Sequence, residues 1–389
     1  MFLRKLQPEV IRLANQYPVV TITGPRQAGK TTLCQAAFPD YDYVNLEDLT
    51  VREFAQRDPK GFLAQYSSKV IFDEVQRAPD LPSYIQPIVD KIDQNGQFIL
   101  TGSQQFELSN TLNQSLAGRT ALVTLLPLSF YELYNDKVTP ELDEILYSGF
   151  YPRIFNKQLH PTEALSFYLA TYVERDIRSL INIKDLSTFE RFLKLCATQI
   201  GQLLNYTTIA NDVGIDQKTV KAWLSVLEAS YIIFLIQPHY QHFRKRLTKS
   251  SKLYFHDVGL ASYLLGISDA KHVMSHPMRG LLFENFIISE FLKDRYNRIR
   301  DNNLYFFRDN IGNEVDLILD YGSELYSVEI KSSRTFNYEF IKGLNYYETI
   351  AKAKNTKRFL VYGGDENYQT NGVDLYSYKS LKHLFAKLN

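Results

Sequence analysis

The sequence is poor in everything that would staple or anchor a chain. Only two cysteines, Cys34 and Cys196, stand among its 389 residues. That excludes a disulfide framework and a cysteine-based metal site, and it suits a reducing cytosol. Long apolar runs are missing too: the stretch Tyr231-Ile-Ile-Phe-Leu-Ile236 is far shorter than a bilayer span. The opening MFLRKLQPEV carries two basic residues but lacks the apolar core of a signal peptide. Charge of one sign is absent, because 44 Lys and Arg meet 43 Asp and Glu for a net +1. No global field then draws the chain to nucleic acid or anionic lipid, and any such surface must be local. Repeats and low-complexity tracts are also missing. What is present is 45% hydrophobic, 22% charged and 14% aromatic residues, the composition of a chain that folds throughout. At about 150 residues per domain, two or three domains are expected in a soluble, cytoplasmic protein without membrane attachment.

Residues 18–126 alternate short β-branched runs with amphipathic stretches: Val19–Thr23, Asp42–Leu46, Val70–Asp73, Phe98–Thr101 and Thr120–Leu125. Such alternation predicts βαβ units on a parallel sheet. A polar break, Asn135-Asp-Lys-Val-Thr-Pro140, places a boundary near 135. The pattern is then helical, including Ala164–Ile181 and Thr188–Leu204. Thr207 to Glu228 reads as two short helices turning at Gly214, with Thr207 and Asp216 as N-caps. A strand (Tyr231–Gln237), a basic loop (Arg244-Lys-Arg246) and a second strand (Lys252–His256) complete the order of a winged helix. The remainder predicts a helix over Leu281–Tyr296, strands near 304–308, 314–321 and 324–331, a helix over Asn337–Ala353 and a strand over Arg358–Tyr362. The expected division is 1–135, 136–260 and 261–389.

Gly24-Pro-Arg-Gln-Ala-Gly-Lys-Thr31 matches G-x-x-x-x-G-K-[ST] between a strand and a helix. The backbone of Gly24, Pro25, Arg26, Gln27, Ala28 and Gly29, with Thr32 behind, is expected to cradle the phosphates of ATP. Lys30 faces the β/γ position and Thr31 binds Mg²⁺. Val70-Ile-Phe-Asp73-Glu74 ends a strand in two carboxylates, so Asp73 is expected to hold Mg²⁺ and Glu74 to polarise the attacking water. The plainer reading is a solvated strand end. Phe98-Ile-Leu-Thr-Gly-Ser-Gln104 offers Ser103, or failing it Gln104, as a γ-phosphate sensor. Arg119 is either an arginine finger, in cis or in trans from a second copy, or an ordinary surface residue.

These motifs, together with Asn45-Leu-Glu-Asp48, Phe72-Asp-Glu-Val-Gln76, Leu126-Pro-Leu-Ser-Phe-Tyr-Glu132, Tyr172-Val-Glu-Arg-Asp-Ile177 and Tyr254-Phe-His-Asp-Val-Gly-Leu260, resemble one prokaryotic family of AAA-superfamily ATPases. Its C-terminal domain of unknown function is similar to the restriction-endonuclease fold. The resemblance implies an α/β chain in three parts: a P-loop NTPase core of AAA type, a helical and winged-helix middle, and a restriction-endonuclease-like end. It does not supply a physiological role. Ala28 departs from the bulkier residue expected in the loop, a matter of packing and not of phosphate chemistry.

From Thr207 to His256 the balance is +4: Lys218, Lys221, Arg244, Lys245, Arg246, Lys249 and Lys252 against Asp212, Asp216 and Glu228. Lys218 and Lys221 share a helix face, so helix and wing together make DNA a candidate partner. The alternative is a packing module with a solvated loop. Near the C-terminus, Gly322-Ser323 suits a two-residue hairpin that sets Asp316 opposite Glu329. Like charges there repel unless something positive lies between them, and a divalent cation would serve. Lys331 shares the face of Glu329, and D-(x)n-E-x-K is the arrangement of restriction-type nucleases, in which two acids bind Mg²⁺ and the lysine orients water. Glu284, on an apolar helix face, is a candidate third acid. The competing reading makes Lys331 a salt-bridge partner of Asp316 and Glu329. Function is thus expected to be ATP hydrolysis coupled to nucleic acid. The alternatives are a DNA-binding switch with an inactive nuclease-like scaffold, or an ATP-controlled protein-interaction module.

Overall fold

The computed structural model describes residues 2–103, 115–135, 138–173, 185–239, 250–322, 324–351 and 356–388, the side chains of 172 and 173 apart. Gln104, Arg244–Arg246, Lys249, most of the Tyr172–Ile177 motif and Ser323 lie outside the described residues.

Strands β1 (Val19–Thr23), β2 (Asp42–Asn45), β3 (Val70–Asp73), β4 (Phe98–Gly102) and β5 (Thr120–Thr124) form a parallel sheet in the order β2-β3-β4-β1-β5. Their alternation sorts side chains to opposite faces. Val19, Phe72, Phe98 and Leu100 pack with Phe62 and Leu81 on one side. Val20, Ile22, Ile71 and Ile99 pack with Val10, Leu33 and Cys34 on the other. Helices therefore cover both faces, which is why these strands read as continuous apolar runs. All five carboxyl ends point one way, and that edge carries Gly24–Thr31, Asp73-Glu74 and Ser103.

The middle region is helical: Leu142–Ser148, Pro152–Asn156, Pro161–Tyr168 running into a wide π turn at Leu169–Val173, Leu186–Thr198, Tyr206–Val213 and Gln217–Ala229. The cap of Tyr206–Val213 is Asn205, whose Oδ1 accepts from the Thr207 amide at 3.0 Å, two residues before the expected Thr207. Asp216 caps the next helix as expected, accepting from Thr219 N at 2.9 Å.

The larger difference concerns the wing. Strands β6 (Ile233–Pro238) and β7 (Lys252–Phe255) form an antiparallel hairpin. They do not stand free: Gln237 and Pro238 pair in parallel with Tyr305 and Phe306. With β8 (Leu304–Arg308), β9 (Glu314–Asp320), β10 (Leu325–Lys331), β11 (Thr356–Tyr362), β12 (Tyr368–Thr370) and β13 (Val373–Ser377) they build one eight-stranded sheet, ordered β12-β13-β11-β10-β9-β8-β6-β7. The boundary expected at 260 falls just past its last strand in space, because unpaired strand edges are satisfied by whichever strand lies alongside, however distant in sequence. The last two strands and a closing helix, Leu381–Lys387, had no counterpart in the sequence pattern.

Helix Arg279–Asn297 is buried almost all round and ties the two sheets together. Glu290 Oε2 accepts from Phe130 N at 2.9 Å, and Lys293 Nζ donates to Leu128 O at 3.0 Å and to Glu290 at 2.8 Å. The Leu126–Glu132 motif is therefore a docking segment between the sheets.

Candidate functional site

The phosphate loop is shaped by close approach. A Cβ on Gly24 would collide with the carbonyl oxygen of Leu125, and Gly24 and Gly29 have φ values of 142° and 92°, conformations that glycine adopts without penalty. The loop runs into helix Lys30–Ala37, whose first-turn amides have no intrahelical partner and favour anions. Lys30 is buried; its Nζ donates to Gly24 O at 2.9 Å and Pro25 O at 3.0 Å. Burial pushes its pKa down, against the pull of Glu74 and Asp73.

Asp73 is buried at the end of β3 and held by three hydroxyls. Its Oδ2 accepts from Thr31 Oγ1 at 2.8 Å and from Tyr43 at 2.7 Å, and its Oδ1 from Thr101. Glu74 follows in the left-handed region, φ 57°, a conformation that costs of the order of 1 kcal/mol or more for a non-glycine residue. That twist turns its carboxylate to Ser103 Oγ at 3.3 Å and to Gln76. Lys30, Thr31, Asp73, Glu74 and Ser103 thus meet at one sheet edge. A groove of about 380 Å³ runs along the loop from Arg26 to Thr32, with Glu74 and, from the middle region, Thr171 in its wall.

Arg119 is not among them. It precedes β5, where its carbonyl accepts from Val19 N at the amino end of β1, and its guanidinium is paired with Asp90. The length of the strand separates it from the loop, so it cannot act as a finger in its own site; parallel strands put preceding and following residues at opposite edges. Two other contributors had no sequence signal. Buried Arg4 donates to Ala28 O at 2.6 Å, Leu126 O at 2.7 Å and Glu132 Oε1 at 3.1 Å, bracing the loop from behind. Tyr231 places its hydroxyl 2.7 Å from Thr23 Oγ1, immediately before the loop.

At the second sheet Tyr321 N donates to Glu324 O at 3.0 Å, and Val328 pairs with Leu317. Asp316 and Glu329 are the next residues along that register. The positive group between them is Lys331, at 3.1 Å from Asp316 Oδ2 and 2.6 Å from Glu329 Oε1, where the sequence had called for a cation. Burial would lower the Lys331 pKa, but the two acids outweigh it and hold it up. Glu284 is buried beside them, accepting from Tyr254 at 2.6 Å and from Lys252 Nζ at 3.4 Å; Lys252 also pairs with Glu314. Lys252 therefore belongs to this carboxylate cluster and not to a DNA-facing basic surface. Burial raises the pKa of Glu284 and of Glu329, and Glu329 Oε2 is buried without a hydrogen bond. Among the described residues, no three His, Cys, Asp or Glu side chains are grouped to hold a metal ion.

On the exposed face of helix Gln217–Ala229, Lys218 and Lys221 lie side by side, Lys221 above the Tyr206 ring at 5.3 Å. Both cysteines are buried, and burial pushes their thiols up. No helix among the described residues is long and apolar enough to cross a membrane.

The parallel sheet and its phosphate loop define a P-loop domain of the AAA type, and the AAA domain family matches residues 16–134. Two domains of unknown function match the rest, one (DUF8612) over 139–271 and one (DUF4143) over 279–381. The chain is 30% identical over 331 residues to the uncharacterized protein Rv2008c of Mycobacterium tuberculosis, covering 83% of this chain and 72% of that one. It belongs to the family of that mycobacterial protein. It is also 22% identical over 315 residues to an uncharacterized protein of Haemophilus influenzae, covering 72% of this chain and 75% of that protein. Among solved structures, the Walker-type ATPase of Pyrococcus abyssi aligns with 68% of this chain and 96% of its own, at 16% identity and a TM-score of 0.45.

Proposed function

We propose that this protein binds and hydrolyses ATP with Mg²⁺ at the Gly24–Thr31 loop. The observation that carries the reading is the convergence of Lys30, the Thr31–Asp73 hydrogen bond and Glu74 on one sheet edge. The backbone amides of Gly24 to Thr32, Pro25 excepted, wrap the phosphates, and Lys30 exchanges its two carbonyl partners for β/γ-phosphate oxygens. The hydroxyl of Thr31 and the carboxylate of Asp73 are hard oxygen donors 2.8 Å apart and would hold Mg²⁺, which when bound neutralises charge on the β- and γ-phosphates. Glu74 orients and deprotonates the attacking water, and Ser103, hydrogen-bonded to Glu74, senses the γ-phosphate. Arg119 serves as a finger only if a second copy of the chain presents it. Measured hydrolysis tests the assignment: Glu74→Gln should keep ATP binding and lose roughly 10²–10⁴-fold in turnover. Undiminished turnover removes Glu74 from the role.

The C-terminal half is read as acting on nucleic acid, with Lys218 and Lys221 on phosphates and a restriction-endonuclease-like end. A divalent ion there would need Asp316 and Glu329 to release Lys331 and to move toward Glu284, since as they stand the three acids do not form a ligand cluster; Lys331 would then orient water. The unpartnered Glu329 Oε2 favours that reading. The double pairing of Lys331 favours the alternative, an inactive scaffold beneath an ATP-controlled switch. Calorimetry with Mn²⁺ on the full Lys30→Ala chain separates them: binding that Asp316→Asn abolishes supports the metal site, and no binding leaves the scaffold.

A further inference from the structure

We infer that Tyr43 is a positioning residue for the Mg²⁺ of the nucleotide site: its phenol hydroxyl fixes the Asp73 carboxylate, and through it the Thr31 hydroxyl, in the attitude that receives the ion. The inference rests on the nucleotide reading above. Tyr43 Oη stands 2.7 Å from Asp73 Oδ2, the same oxygen that accepts from Thr31 Oγ1 at 2.8 Å. One carboxylate oxygen thus joins the tyrosine to the threonine.

The backbone explains why a residue so far from the strand end can do this. In the parallel pairing of β2 with β3, Asn45 is level with Asp73 and Tyr43 with Ile71. Asn45 is the nearer candidate, but its Oδ1 accepts from Glu47 N at 2.9 Å and shapes the turn that follows. Tyr43 lies two residues back on the same face, about 7 Å down the strand. Only a long side chain with a donor at its tip covers that interval, and tyrosine is one. Helix Lys30–Ala37 packs on this face, since Ile71 clusters with Leu33 and Cys34, whereas Val44 packs on the other side. Thr31 and Tyr43 therefore approach Asp73 from the same face of the sheet.

The protons show what each hydroxyl is free to do. Thr101 Oγ1 donates to Asp73 Oδ1 and accepts from Glu74 N at 3.3 Å, so it is committed on both sides. A hydroxyl has one proton and two lone pairs. Thr31 gives its proton to Asp73 and keeps its lone pairs for a cation, while Tyr43 gives its own to the same oxygen and holds that oxygen in place. Both Tyr43 and Thr101 are neutral donors, so they orient the carboxylate and leave its charge to the ion. Hydrogen-bond partners of metal ligands set the ligands' orientation, and losing one typically costs about 10–100-fold in metal affinity or activity. The Tyr43 ring is 39% exposed, and phenylalanine in its place keeps the packing and removes the hydroxyl alone.

Calorimetric titration of the full chain with AMP-PNP, a non-hydrolysable ATP analogue, in Mg²⁺ and in EDTA tests this. The wild-type chain should bind the analogue more tightly in Mg²⁺. Tyr43→Phe should weaken binding in Mg²⁺ about ten- to a hundredfold and leave binding in EDTA unchanged, with a urea unfolding midpoint near that of the wild type. Added to Asp73→Asn, the same change should bring no further loss, because the tyrosine acts through that carboxylate. Equal weakening in Mg²⁺ and EDTA would make Tyr43 a structural support, and no weakening in either would remove its role. Losses that add in the double variant would place its action elsewhere. Each of these overturns the inference and spares the phosphate loop. Wild-type binding indifferent to Mg²⁺ overturns the metal reading and this inference together, and failure of the wild-type chain to bind the analogue at all overturns the loop reading with them.

Discussion

Two sheets in this protein carry buried acids beside buried lysines, and they differ in what answers the charge. At the edge of the parallel sheet, Lys30 is held by two carbonyls and Asp73 by three hydroxyls. Neutral dipoles orient these charges without cancelling them, so a charged ligand has something to gain by arriving. In the second sheet, Lys331 lies between Asp316 and Glu329, and Lys252 between Glu284 and Glu314. There each lysine is already shared by two acids, and a removed lysine leaves a buried carboxylate behind. The first arrangement is built to receive charge, the second to keep its own.

That contrast gives a ranked set of expectations. Lys30→Ala should cost the most in function: ATP hydrolysis should drop by 10²-fold or more, since the cation facing the developing charge is gone. The same change should alter the free energy of urea unfolding by only about 1 kcal/mol, the scale of ordinary hydrogen bonds. Lys252→Ala should show the reverse weighting, destabilising the chain by roughly 3–5 kcal/mol through buried Glu284, which among the described residues keeps only the Tyr254 hydroxyl, whereas Glu314 retains Arg308. Similar unfolding costs for the two lysines would break the comparison.

A smaller effect comes from His256, buried and pushed down to about 3 by burial and by Lys293. The folded chain keeps this imidazole neutral, whereas the unfolded chain protonates it below about 6.5. Stability therefore falls as pH falls through that window, by about 1.4 kcal/mol per unit, or roughly 2 kcal/mol between pH 6.5 and 5. Glu284 and Glu329, with raised pKa values, act in the opposite direction: they take up protons in the fold and gain stability as pH drops. The difference between wild type and His256→Asn across a pH series of unfolding midpoints isolates the histidine. A pH-independent difference would show that it is not held neutral.

The smallest expected change is in DNA binding. Lys218→Ala and Lys221→Ala should each flatten the log–log salt dependence of duplex binding by about 0.9, uniformly across unrelated sequences. An unaltered slope returns that helix face to solvent.

Legibility followed sequence distance. Gly24–Thr31 declared itself because strand, loop and helix are contiguous, and Asp73-Glu74 because an apolar strand ending in carboxylates is a local pattern. Asp316 and Glu329 were placeable because a tight turn sets the register of the strands it joins. Thr207 was expected as a cap where Asn205 serves, a local error of two residues between side chains of similar chemistry.

By itself, the sequence determined the parallel sheet, the phosphate loop and the hairpin carrying Asp316, Glu329 and Lys331. Each rests on periodicity or on a turn, interactions that span a few residues. Tertiary structure alone decided that β6 and β7 extend the second sheet, that Lys252 pairs with Glu284 and Glu314, that Arg4 braces the loop, and that Arg119 sits at the opposite edge from the phosphates. The reason is physical: periodicity states which face a side chain occupies, but its partner is set by which distant segment packs there. That choice is made by the burial of whole surfaces, not by any local pattern.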